Sequence, residues 1–584
     1  MLKKRVLSFL IFCSFLIFSC TSNNINPPIN NNEQELSLAT NSLSLKVGNS
    51  IAFPLKNYIA TNDALSFYSD DINVATIDSS GLITAINEGI AFVYVENNNG
   101  ETASISLKVY EDAKEESSLW DYSQDYLRTG QKVFDFYNFN DFHGACEFND
   151  DNSEPGINKL ATYINDLKNK NYENFILTSS GDMWQGSADS NISKGSLVID
   201  WMNYLNFDAQ TIGNHEFDWG IDYILHNEER MNFPLLACNI YDENNLEYID
   251  TWVKPYTTIT RNGLHIGIVG AIGEGQTSDI CSKYVENLSF VNPDALVKKW
   301  AKYLKDNGAD IVLYLLHNSI YSIQDYTLFA NVDLLFGGHT HTGEKESIYN
   351  VPAIQAYCNG KDVGHINLTY DFDSDSILKY GDYDYIDTRS FKLKYIADDA
   401  YFSNLYNRYL KYQINDIKNK VVSNYTGEIS KLNAAYLYNQ YAYQYYIDNE
   451  KEKYPIFAVE TNNARSDIVG SSGGITYGQI YKAFPFDNYL TLIKIKGDDI
   501  INSLSTYSSS HFYVIDSRLN VNNYQINDYV FSENYYYILT IDYIATSSFY
   551  DQAFEIIKIY DDETALPRNI VSKYLIDYPN NFVG

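Results

Sequence analysis

The sequence predicts a multidomain protein with a small N-terminal β-sandwich, a central α/β domain and a second α/β domain at the C-terminus. Three observations carry this. The chain has 584 residues, more than one hydrophobic core serves, and roughly three domains is the expectation for that length. Its 45% hydrophobic and 20% charged residues are ordinary globular values, so such cores can be buried. The hydrophobic pattern also changes along the chain, from short alternating strands to strands interleaved with amphipathic helices, and again after a long helix near residue 400.

The first element, residues 1–20, reads as an export signal. Lys3, Lys4 and Arg5 precede the apolar run VLSFLIFCSFLIFS, which is shorter than the ~20 residues a spanning helix needs. Its end, IFSC, resembles a bacterial lipobox with Cys20 as the lipid-modified residue, although Phe18 is bulky for that pattern. An uncleaved anchor would lead to nearly the same place. Residues 21–35, TSNNINPPINNNEQE, are polar and Pro-broken, as in a flexible tether. The expected location is extracytoplasmic and membrane-anchored, at the cell surface or in the periplasm.

Charge and cysteines narrow the function classes. The 42 Lys and Arg against 75 Asp and Glu give a net charge of -33, which repels nucleic-acid polymers and means that a small anionic substrate needs cation help. Outside the signal, Cys146, Cys238, Cys281 and Cys358 form no C-x-x-C pair, so zinc-finger and thioredoxin readings fall and no disulfide pairing is indicated.

Residues 36–110 alternate in short strands (LSLKV, SIAFPL, GLITAI, IAFVYVE, ASISLKV) punctuated by Gly, Asn and Asp, the rhythm of a small sandwich. The run VATIDSSGLITAINEGIAFVYV resembles the group 2 bacterial immunoglobulin-like domain, whose members mostly serve as spacers or adhesive units; the partner of this one is unknown. EDAKEESS then marks a charged linker.

From 131 to 387, apolar runs (VFDFYNF, NFILTSS, HIGIVGAI, DIVLYLL, VDLLFGG) alternate with helical candidates such as INKLATYINDLKNK and PDALVKKWAKYLKDN. Residues 398–420 read as a linker helix, and 421–584 as a further helix and strand mixture. The 53 tyrosines are spread through all units and suit packing rather than one function.

Five stretches hold most of the possible metal ligands: NDFHG, GD, GNHEFD, LLHN and GGHTH, carrying Asp141, His143, Asp182, Asn214, His215, Asp218, His317, His339 and His341. Four of them directly follow strand-like runs, where ligands gather in α/β sheets. In D-x-H and H-x-H the side chains lie two apart and point the same way in extended backbone. One histidine after an apolar run is more often a core residue than a ligand, and His226, His265, His365 and His511, which lack such company, read as ordinary.

In this order the motifs resemble the calcineurin-like metallophosphoesterases, and within them the exported bacterial 5'-nucleotidases and UDP-sugar hydrolases, over about residues 131–584. The resemblance implies a central domain of two sheets flanked by helices, and a C-terminal substrate-binding domain. It also implies two divalent ions, one among Asp141, His143, Asp182 and His341 and the other among Asp182, Asn214, His317 and His339, with Asp182 bridging. Leu316 departs from the small polar residue relatives often carry before His317. Two such ions ~3.5 to 4 Å apart share a hydroxide that attacks phosphorus. The ligand set, without thiolate, suits Zn, Mn, Fe or Co and does not choose among them. His215 is implied as the catalytic histidine, oriented by Asp218, while Glu216 reads as structural.

Further on, ITYGQIYKAFPFDNYLTLIKIKGDDI resembles the substrate-domain signature of the same family. It implies that Phe486 stacks on a nucleobase, Asn488 contacts it and Tyr543 closes the sandwich; the alternative is that both rings are core. TNNARSDI keeps Arg465 but not the family's glycines, Phe549 stands where an acidic residue is usual, and SKLNAAYLYNQYAYQYYIDN lacks the family's arginines. The expected activity is therefore 5'-nucleotidase-like hydrolysis of nucleoside monophosphates to nucleoside and phosphate. The alternatives are a 2',3'-cyclic nucleotide phosphodiesterase or UDP-sugar hydrolase on the same core, or a surface binding and adhesion lipoprotein. The family also implies that substrate reaches the metals by rotation of the C-terminal domain, with the helix near 398–420 as hinge.

Overall fold

The computed structural model describes residues 36–56, 65–111, 118–243, 248–249, 252–451, 453–460, 464–497, 512–514, 534–546 and 554–578. The export signal with Cys20, the tether, most of the charged linker, His511 and Phe549 lie outside the described residues.

Residues 36–110 form two sheets. Ser42–Lys46, Thr102–Tyr110, Gly89–Glu96 and Ser66–Ser69 make one, and Ser50–Ala52, Leu82–Ala85 and Ala75–Ile77 the other. They enclose a core of Ala75, Ile83, Ala91, Val93, Ile105 and Leu107. Because side chains alternate along a strand, Gly89–Glu96 serves two neighbours. Ala91, Val93 and Val95 face this core, while Phe92 is buried in the core of the central domain.

The unit therefore does not stand apart. Phe92 meets Tyr409 edge-on at 4.9 Å and stacks on Tyr412 at 5.5 Å. The Arg408 guanidinium donates to Asp70 at 2.8 and 2.9 Å and to the Ile90 carbonyl. Beneath them Arg230, wholly buried, forms a bidentate pair with Asp200 at 2.8 Å and donates to the Tyr409 hydroxyl at 3.0 Å.

The central domain stacks two six-stranded sheets face to face. The first runs Leu235–Leu236, Ala209–Thr211, Phe175–Ser179, Gln131–Phe139, Asp362–Asp371, Ser376–Asp387; the second runs Tyr256–Arg261, Leu264–Ile272, Ile311–His317, Leu334–Phe336, Val351–Gln355, Glu344–Ile348. Apolar residues of both, among them Phe136, Ile176, Ile268, Leu313 and Phe336, fill the space between. Helices Ile157–Lys170 and Ser196–Leu205 cover the outer face of the first sheet and Asp294–Asp306 that of the second. Four adjacent strands of each sheet are parallel, so their C-terminal ends gather along one edge, where ligand sites form in such sheets.

The linker helix begins at Ala400, capped by the Asp399 carboxylate accepting from the Phe402 amide. It takes one π turn at Leu410–Ile414 and ends at Lys418. Beyond it, a five-stranded sheet ordered Phe512–Val514, Ile456–Glu460, Tyr535–Ile541, Leu490–Lys496, Phe554–Ile559 packs against helices Lys431–Glu450, Tyr477–Ala483 and Pro567–Asp577. Among the described residues no helix is long and apolar enough to cross a membrane.

Candidate metal centre and substrate cavity

All five motif stretches lie at the C-terminal ends of strands, three in the first sheet and two in the second. Asp141 follows Gln131–Phe139, Asp182 follows Phe175–Ser179, Asn214 follows Ala209–Thr211, His317 ends Ile311–His317 and His339 follows Leu334–Phe336. Five of these residues, Asp141, His143, Asp182, His339 and His341, have φ between 49° and 78°. The left-handed region costs a non-glycine residue roughly 1 to 2 kcal/mol, and strain gathered in one place marks a functional site. Here it lets consecutive turns aim carboxylates and imidazoles at a common point.

Three overlapping groups result: Asp141, His143 and His341; His143, Asp182 and His215; Asp182, His317 and His339. Within each, the ligand atoms lie within 4.8 Å of one another. His143 Nε2 faces His341 Nε2 at 2.9 Å, and His341 Nε2 is 3.4 Å from Asp141 Oδ1. On the other side Asn214 Oδ1 is 3.1 Å from His317 Nε2 and 3.0 Å from His339 Nδ1, and Asp182 Oδ2 is 3.3 Å from His317 Nε2. Asp182, nearly inaccessible, belongs to two of the groups.

The donor chemistry fits divalent cations. His317 Nδ1 donates to the Ser180 carbonyl at 2.7 Å and His143 Nδ1 to the Gln185 carbonyl at 3.1 Å, which turns each Nε2 inward toward the cluster. Burial pushes His143 and His339 down to about 4, so both stay neutral. Against burial, Asp182 and Asp141 lift His317 to about 9, and hydrogen bonding to Asp141 lifts His341 to about 10. These protons balance carboxylates in a cluster whose geometry otherwise asks for metal ions.

The backbone of this site has its own supports. Glu216 is fully buried, and its carboxylate accepts from the amides of Asp182, Met183 and Gly213 at 2.7 to 2.9 Å, tying two ligand loops together. A Cβ at Gly213 would lie 2.2 Å from Asp182 Oδ1, and one at Gly181 2.7 Å from His317 Nδ1, so both positions require glycine. His215 donates from its backbone to Asp182 Oδ1 and pairs through Nδ1 with Asp218 Oδ2, each at 2.8 Å. Burial opposes its charge, but Asp218 and Asp182 raise it to about 9.

The groups open onto a cavity of about 390 Å³ between the central and C-terminal domains. Arg465, Phe486, Asn488 and Tyr543 all line it, together with Asp182, Asn214, His215, Asp218, His339 and His341. The Phe486 ring stacks on His215 at 5.7 Å, and the Arg465 guanidinium sits 4.8 Å from its centroid. Sequence reasoning missed Asp279, whose Oδ2 is 3.6 Å from His339 Nε2 and which also lines the cavity. No motif marks it, since it reaches the site from a 3-10 turn after Leu264–Ile272. The histidines read as ordinary lie elsewhere: His226 meets Ser42, His265 stacks on Trp120 and His365 meets Asp135.

Residues 134–343 match the family model for calcineurin-like phosphoesterases, and residues 455–549 that for the 5'-nucleotidase C-terminal domain. Snake venom 5'-nucleotidase of Gloydius brevicauda is 29% identical over 247 residues, 38% of this chain and 41% of that protein. The 5'-nucleotidase of Rattus norvegicus is 28% identical over 280 residues, 41% of this chain and 47% of that protein. The chain thus spans less than half the length of these curated relatives. Among solved structures, a putative 5'-nucleotidase from Staphylococcus aureus in complex with alpha-ketoglutarate superposes with a TM-score of 0.61 at 17% identity, over 78% of this chain and 98% of that one. The 5'-nucleotidase precursor from Thermus thermophilus gives 0.59 at 18%, over 76% and 96%. The chain therefore joins a calcineurin-like phosphoesterase domain to a 5'-nucleotidase C-terminal domain and has 5'-nucleotidases among its relatives.

Proposed function

We propose that this protein is a dimetal phosphohydrolase that cleaves nucleoside monophosphates to nucleoside and phosphate. The observation that carries the reading is the run of three overlapping His/Asp groups, linked through His143 and Asp182, beside a cavity lined by Phe486, Tyr543 and Arg465. Asp141, His143 and His341 would hold one ion, Asn214, His317 and His339 the other, and Asp182 both. Bound there, the ions supply Lewis acidity toward the phosphoryl group and a nucleophilic water at neutral pH. Zn, Mn, Fe and Co all suit these donors.

The protein's own groups do the rest. With Nδ1 committed to Asp218, His215 presents Nε2–H to the cavity, placed to stabilise a phosphoryl oxygen and to protonate the departing alkoxide. Arg465 adds positive charge beside Phe486, while Phe486 and Tyr543 offer ring faces and Asn488 an amide for a base. A cavity of about 390 Å³ lies within the usual range for small-ligand sites.

Three finer points belong to this reading. Residues 36–110 are an immunoglobulin-like domain, a proposal supported by the two sheets around one core. Residues 1–20 direct export and Cys20 carries a lipid anchor, supported by the charged and apolar run and IFSC. The boundaries 36–110, 131–387, 398–420 and 421–584 describe the units. Purified protein should hydrolyse AMP in the presence of Mn or Zn, with 4-nitrophenyl phosphate, 2',3'-cyclic AMP and UDP-glucose in parallel to rank the substrate classes. Absence of metal-dependent hydrolysis of both AMP and the aryl phosphate would defeat the proposal.

A further inference from the structure

The segment carrying Phe486 is gripped from both domains. The Pro485 carbonyl accepts from Gln185 Nε2 at 3.3 Å and from Asn191 Nδ2 at 2.9 Å, both on the stretch that follows Asp182 in the central domain. Lys194, on the same stretch, places Nζ 2.9 Å from Asp487 Oδ2. From the C-terminal domain, Arg568 bonds the other Asp487 oxygen and also donates to the Phe486 carbonyl at 3.0 Å. Gln185 links this seat to the metal centre directly, since its own carbonyl accepts from His143 Nδ1.

The two cations are not equivalent. Arg568 is 4% exposed and lies in the same domain as Asp487, so it compensates the carboxylate however the domains sit. Lys194 comes from the opposite domain and is further held over the rings of Trp219 at 5.2 Å and Tyr223 at 5.5 Å. Its bond to Asp487 therefore exists only in this arrangement of the two domains. Burial opposes the Asp487 charge, but Arg568 and Lys194 together hold the carboxyl below its usual range.

We infer that Asp487 is a positioning residue that registers the two halves of the site: Lys194 docks it against the stretch after Asp182, and this seats the Phe486 ring over His215. The inference rests on the proposed function for its kinetic consequence but not for its structural one.

Lys194→Met tests it, because the apolar stem beside Trp219 and Tyr223 is kept and Arg568 still compensates Asp487. Hydrogen exchange of the backbone over residues 484–490 should quicken about tenfold, and KM for AMP should rise about tenfold with kcat within about threefold of wild type. Lys194→Arg should restore both toward wild type. Unchanged exchange at 484–490, or a fall in kcat with KM unmoved, would overturn the inference. A wild-type protein that does not hydrolyse AMP would overturn the functional reading instead, and the exchange measurement would still decide the role of Asp487.

Discussion

Truncating His215 to alanine separates two duties that the geometry allows it. The imidazole is paired with Asp218 at 2.8 Å, as a proton donor would be. It also lies with His143 and Asp182 in a group that could hold a cation. If it is the acid, proton transfer contributes roughly 100-fold to 10,000-fold, and a donor aimed at developing charge roughly 100-fold to 1,000-fold. The two effects share one side chain and do not simply multiply, so kcat should fall about 1,000-fold to 10,000-fold, or about 4 to 5 kcal/mol of barrier. Folding should be spared. The change removes a partly exposed ring whose stacking on Phe486 at 5.7 Å is worth about 1 kcal/mol. The assay is kcat on AMP or 4-nitrophenyl phosphate, with metal content by mass spectrometry and a thermal melt on the same preparation. The expected result is the rate loss with both ions retained. Loss of an ion with the fold intact would make His215 a ligand, and a rate within about tenfold of wild type would remove it from the chemistry.

Asp218→Asn keeps the shape but removes the charge that raises His215, so the alkaline limb of the kcat profile should move to lower pH; superimposable profiles would contradict the pairing. Arg230→Met leaves the Asp200 carboxylate buried without its bidentate partner and should cost about 3 to 5 kcal/mol in urea unfolding of the central domain, whereas an unmoved midpoint would contradict that burden. Burial raises Asp542 from 3.8 to about 6 even with Lys283 nearby. The folded state then binds more protons than the unfolded one between those values, so stability is lost as pH rises through that window, by up to about 3 kcal/mol. Asp542→Asn still accepts from the Tyr489 and Tyr543 amides, so its melting temperature should gain on wild type from about pH 4 to about pH 7; a gap independent of pH would refute the assignment.

What was legible in the sequence is what local chemistry encodes. The alternation in IAFVYVE gives the strand Gly89–Glu96, and the three and four spacing in INKLATYINDLKNK gives the helix Ile157–Lys170. Asp141, His143, Asp182, Asn214, His317, His339 and His341 converge because each sits at or just beyond the end of a parallel strand, a place that an apolar run announces and that glycine marks in GD, GNHEFD and GGHTH. Phe486 and Tyr543 reach the same cavity from a second domain, which only the resemblance of their motif suggested.

The unread part is long-range. Nothing near Lys194 or Arg568 in the chain points to Asp487, and the grip exists only once two domains meet. Asp279 likewise arrives from an unmarked turn. Phe92 reads as one more apolar residue in a strand, yet its side of the strand faces a different core from that of Val93. The docking of residues 36–110 against the linker helix through Phe92, Tyr409 and Tyr412 follows from that face. A spacer reading, drawn from the resemblance of VATIDSSGLITAINEGIAFVYV, has no access to it.

Anomalous diffraction from crystals grown with Mn or Zn would locate the ions themselves. Two peaks roughly 4 Å apart are expected, one enclosed by Asp141, His143 and His341, the other by Asn214, His317 and His339, with Asp182 between them. No peak among these side chains, or a single ion with one of the two groups left unengaged, would contradict a dimetal centre.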